Sequence, residues 1–85
     1  METKRYVSIC SRMKTGIELG RAEIKAKTNL ISDLQTRIQE LQAESTPDVS
    51  TIRNLAARVA TLEAELKLDR LQQEAMEEEY LAECT

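Results

Sequence analysis

Histidine, tryptophan and phenylalanine are absent from this 85-residue chain, which holds only two tyrosines, two glycines, one proline and two cysteines. Each shortage excludes something. Without histidine, neither a Ser-His nor a Cys-His catalytic pair can form. Two cysteines with no histidine also fall short of the four ligands of a structural zinc site. Tyr6 is the sole aromatic in the basic N-terminal part of the chain, so base stacking has almost nothing to work with. No apolar run approaches the roughly 18–20 residues that a membrane span requires. The opening METKRYVSICSRMK is basic but lacks the apolar stretch of a signal peptide. The resulting expectation is a cytoplasmic protein (host cytoplasm if virally encoded), in which Cys10 and Cys84 are free thiols by default.

What is present points to helix. Charged residues make up 32% of the chain, and a composition rich in Ala, Glu, Lys, Leu and Arg reads as long helix or coiled coil. The net charge of −3 is unevenly spread: residues 1–28 hold seven Lys/Arg against three Glu, and residues 63–85 hold two against eight Asp/Glu. A basic end and an acidic end on one chain favour antiparallel pairing.

The stretch Glu44-Ser45-Thr46-Pro47-Asp48 is the one cluster of turn and capping residues. Proline suits the first helical position, where its missing N–H is not needed. Thr46 is then the expected N-cap, and Asp48 complements the helix dipole. The expected organisation is a basic arm or short helix over 1–14, helix one over 15–44, a turn at 45–47, helix two over 47–82 and a tail at 83–85. So short a connection makes the helices antiparallel neighbours. One continuous helix kinked at Pro47 is the alternative.

Helix one carries a seven-residue repeat. Ile17, Ile24, Ile31 and Ile38 occupy position a, and Gly20, Lys27, Leu34 and Leu41 occupy position d. Backwards, the frame meets Cys10 at a, with Tyr6 and Met13 at d. In helix two, Ile52, Leu55, Val59, Leu62 and Leu66 keep the same 3-4 spacing, interrupted at Asp69 and Gln73 and resumed at Met76 and Tyr80. Folding the chain at the turn sets Leu41 against Ile52, Ile38 against Leu55, Leu34 against Val59 and Ile31 against Leu62; the two numbers of each pair total 93. The same register sets Ile17 by Met76 and Gly20 by Gln73. Lys27, Asp69 and Gln73 form a polar seam layer in which Lys27 can reach Asp69, and such layers fix register at some cost in stability. The seam is expected to be tightest near the turn and looser at the open end, with Gln73→Ala costing little. The fold class is therefore all-α: an antiparallel two-helix coiled-coil hairpin that oligomerises into a helical bundle.

A second stripe lies off the seam. Ala57, Ala60, Ala64, Leu68, Leu71 and Ala75 recur at helical spacing on the far side of helix two, and helix one adds Leu19, Ala22, Ala26 and Leu30. Alanines alone would be ordinary helix formers. With the leucines they read as a second packing surface.

Other candidates are weaker. The run Glu77-Glu78-Glu79, with Glu74 and Glu83, lacks the alternating ligands and glycine of a calcium loop, and reads as a solvated face. Cys10 and Cys84 stand at the same end of the folded hairpin, so a staple across the open end or a bridge between subunits is the alternative to free thiols. Lys-Thr beside Gly16 lacks the glycine spacing of a phosphate loop. No catalytic residue, metal or cofactor is expected.

The function expected from these features is a non-enzymatic protein–protein interaction module. It self-associates, as a dimer, and binds a larger unidentified protein as an adaptor, assembly factor or inhibitor, in the manner of a phage or viral inhibitor of a host machine. The alternative is an oligomeric binder of nucleic acid or an anionic small ligand, in which clustered arms bring Arg12, Lys14 and Arg21 of several subunits to one site with strongly salt-dependent affinity.

Overall fold

The computed structural model describes the backbone of residues 2–85 and the side chains from Ser8 onward; Lys4, Arg5 and Tyr6 lie outside the described side chains. Two helices, α1 (Glu2–Gln42) and α2 (Val49–Cys84), pack antiparallel as a hairpin, a rod of 68 × 15 × 15 Å. No helix among the described residues is long and apolar enough to cross a membrane.

The chain reverses at Ala43–Asp48, as the proline and capping residues require. Two hydrogen bonds tighten the end of α1: Ala43 N donates to Gln39 O at 3.1 Å and Glu44 N to Leu41 O at 3.3 Å. The N-cap of α2 is Asp48, two residues beyond the expected Thr46. Its carboxylate accepts the Thr51 backbone N–H at 3.1 Å and the Thr51 hydroxyl at 2.7 Å. A carboxylate that reaches the third residue of the helix satisfies an otherwise orphaned donor, and here it takes that role from Thr46. Pro47 precedes the cap, where it still costs no hydrogen bond. The Thr51 hydrogen bonds hold the Asp48 carboxyl below its ordinary 3.8.

The start of α1 also differs from expectation. Residues 2–14 continue the helix without a break, rather than forming a separate arm, and the rod is correspondingly longer than a hairpin of 30-residue arms. Met13 on α1 and Tyr80 on α2 are both half-buried. Helix stability in proteins comes mostly from packing an apolar face, so this seam outweighs the weak propensity of the Ser8–Ser11 cluster.

The seam lies where the heptads put it. Ile31, Val59 and Leu66 form the buried cluster, and Ile24, Leu34, Ile38 and Leu62 pack against it. Leu41 is buried nearer the turn and Ile17 nearer the open end. Ile52, Leu55 and Met76 are half-buried. The buried cluster and Leu41 thus lie in the half of the rod nearer the turn, as expected, while toward the open end Met13 and Tyr80 are only half-buried and Ile9 is 52% exposed.

Candidate interaction surface

Two polar layers interrupt the apolar seam. In the first, Lys27 at a d position reaches across to α2. Its Nζ donates to Asp69 Oδ2 at 2.6 Å and lies 3.8 Å from Glu23 and 3.7 Å from Glu65. The hydrogen bond to Asp69 and the surrounding carboxylates hold the Lys27 ammonium above its ordinary 10.5. An ammonium on a four-carbon stem is the side chain that can do this: the methylenes lie along the seam and the charge emerges at its edge.

The second layer is Gln73, the buried polar residue of the described set, only 8% exposed. Its Nε2 donates to the backbone carbonyl of Ile17 at 2.8 Å. That carbonyl already belongs to the α1 ladder, so Gln73 uses its second lone pair. A side chain at Gly20 would collide with the Gln73 amide, and one at Gly16 would come within 3.2 Å of Met76 Cε. The paired glycines therefore admit α2 close to the α1 backbone. This overturns the expectation that Gln73 is a loose position. A d-position glycine opposite a glutamine was the legible sign, since Gly in a helix interior costs about 1 kcal/mol and needs a packing reason.

Beside this layer, Arg21 Nε donates to Glu77 Oε1 at 2.8 Å and its Nη2 stands 2.6 Å from the same oxygen. The Arg21 hydrogen bond pulls the Glu77 carboxyl below its ordinary 4.5. Arg21, one of the three candidate anion contacts, is therefore engaged within the hairpin. Lys14 borders the same shallow groove, with Glu18, Tyr80 and Leu81, while Arg12 is exposed. Among the described residues no cluster of three or more His, Cys, Asp or Glu is placed to hold a metal ion.

Cys10 and Cys84 are bonded to each other, with their Cα atoms 5.7 Å apart. The default expectation of free thiols is corrected, and the bond lies within one chain rather than between subunits. The antiparallel register brings the two chain ends level, which places a pair 74 positions apart in sequence at ordinary disulfide distance.

The α2 part of the second stripe is exposed along its whole length. Ala57, Ala60, Ala64 and Ala75 are exposed; Leu68 is 61% and Leu71 57% exposed, and Leu19 on α1 is 67% exposed. Leu30 alone of the off-seam leucines is half-buried. The hairpin has two broad sides. One carries Thr28, Gln35, Glu63 and Arg70 flanking the seam. The other carries Gly16, Leu19, Glu23 and Gln72, and Glu65 joins it through Lys27.

No protein family, curated protein or solved structure matches the chain.

Proposed function

We propose that this chain is a protein–protein interaction module that self-associates through its outward faces and offers the resulting bundle to a larger protein, as an adaptor, assembly factor or inhibitor. One observation carries the reading. The hairpin closes its own seam with its own residues, yet Leu19, Leu68 and Leu71 remain 57–67% exposed beside a run of exposed alanines. Scattered exposed leucines are ordinary, but a helical stripe of them with small neighbours forms a surface another helix can pack on. The reading is non-enzymatic: a thin rod without histidine offers, among its described residues, no nucleophile beside a base.

The cross-link bears on the setting. A disulfide persists where thiols are oxidised, so a cytoplasmic setting fits only the reduced hairpin.

Light scattering at several concentrations tests the proposal. The expected mass exceeds one chain, and Leu68→Glu with Leu71→Glu returns it to one chain with helix content unchanged by circular dichroism. A single-chain mass for the unmodified protein at the highest concentration removes the self-association reading.

A further inference from the structure

The broad side bearing Leu19 and Gln72 has a specific layout. The seam keeps its heptad frame from Ile17 to Leu41, so residues seven apart hold one bearing relative to it. On α1, Arg12, Leu19, Ala26 and Asp33 follow that spacing through Leu19. On α2, Arg58 and Glu79 keep the bearing of Gln72, and Leu68 and Ala75 keep the neighbouring one. Large apolar, small apolar and charged positions thus alternate on both helices of one face.

We infer that this face is covered by a second copy of the chain, arranged with a two-fold axis parallel to the rod so that both open ends lie together and α1 of each copy packs on α2 of the other. The inference rests on the self-association proposed above and specifies its geometry. Such an axis preserves height along the rod. A residue of α1 therefore meets, on the other copy, whatever residue of α2 lies level with it in its own. Within the hairpin, level residues have numbers totalling about 93, as Gly20 and Gln73 demonstrate. Across the two copies this sets Arg12 by Glu79 and Asp33 by Arg58, each pair totalling 91, and Leu19 by Ala75 and Ala26 by Leu68, each totalling 94.

These four pairs are complementary: base with acid, acid with base, leucine with alanine twice; the same levels also set Leu19 by Gln72 and Ala26 by Glu65. On a larger scale, the basic part of α1 (residues 2–28) faces the acidic part of α2 (residues 63–84) of the other copy. A two-fold perpendicular to the rod would set α1 against α1 and α2 against α2, and none of these four pairs would form. The face is roughly 1,000 Å² from the dimensions of the rod, comparable with the ~800 Å² per partner of a standard interface. Gly16 leaves the face low toward the open end, and neighbouring helices approach to ~8–10 Å where small side chains line the contact.

The test uses the oxidised full-length chain carrying Ser45→Cys, with a nitroxide on the new thiol at the exposed turn. Sedimentation first gives the mass, and pulsed dipolar spectroscopy then gives the distance between the two labels. The inference expects a dimer with a label separation of roughly 20–30 Å, set by helix spacings of ~8–10 Å plus the tethers. A dimer with labels near the 68 Å length of the rod overturns the parallel arrangement while leaving self-association standing. A monomer overturns both. Ala26→Leu and Leu68→Ala provide a second check, since each alone is expected to weaken the dimer about tenfold and the double variant to recover most of the loss. Additive losses in the double variant overturn the Ala26–Leu68 pairing.

Discussion

Gly20 leaves open the space that the Gln73 side chain needs in order to donate to the Ile17 carbonyl. The relationship is reciprocal. A glycine mid-helix is unfavourable alone, and a glutamine buried in a coiled-coil seam is unfavourable alone. Together they let the two backbones approach and leave no buried polar side-chain atom of the described residues without a partner.

A double-mutant cycle checks this. Gly20→Ala raises intrinsic helix propensity by about 1 kcal/mol, yet it is expected to destabilise the hairpin by about 1–3 kcal/mol because its Cβ displaces the Gln73 amide. Gln73→Ala is expected to cost about 1–3 kcal/mol through the lost hydrogen bond and packing. In the Gln73→Ala background, Gly20→Ala should become stabilising. Urea denaturation showing the same sign for Gly20→Ala in both backgrounds refutes the coupling.

The seam makes a graded prediction. Ile31→Ala or Leu66→Ala, in the buried cluster, should cost about 2–5 kcal/mol, and the half-buried Leu34 and Ile38 should fall toward the lower end of that range. Val49, 61% exposed at the start of α2, should change by no more than about 0.5 kcal/mol on replacement by alanine. Thermal melts that rank Val49 above Leu66 contradict the seam.

The disulfide closes almost the whole chain into a loop. Constraining an unfolded chain across 74 positions is worth about 4 kcal/mol in the chain-entropy description. Reduction, or Cys10→Ser with Cys84→Ser, should lower the melting temperature and fray the open end first. Hydrogen exchange should accelerate near Cys10 and Cys84 before it does at Ile31. A melting temperature insensitive to reductant would mean that the cross-link does not form.

Stability should be flat between about pH 5 and pH 10 and fall on either side. Glu77, held low by Arg21, and Asp48, held low by Thr51, both have folded values below their unfolded ones. Each contributes fully above the unfolded value and loses that contribution as pH falls through the folded one, so this limb lies below the ordinary 4.5 of Glu77. Lys27 is the opposite case. Its folded value is raised by Asp69 and the flanking carboxylates, so its contribution is complete below 10.5 and is lost as pH rises through the folded value. Lys27→Met should therefore flatten the alkaline limb of melting temperature against pH. An unaltered limb assigns it to another group.

Much of this was legible without coordinates because it depends on periodicity. Four isoleucines seven apart and the single cluster of turn residues determine two helices, their seam and their register, and Lys27 meets Asp69 because that register leaves them one layer apart. Local competition was not legible. Thr46 and Asp48 are both good caps, and only the path of the turn shows which carboxylate or hydroxyl reaches the N–H of Thr51. Whether residues 2–14 continue the helix depends on partners far along the chain, not on the propensity of Ser8–Ser11. The sequence by itself determined the helices and the way they pair, since hydrophobic spacing is a property of one dimension. The tertiary structure alone decided that Gln73 is buried against Ile17 and that Cys10 joins Cys84. Both are contacts between distant residues, and they depend on how closely two backbones approach.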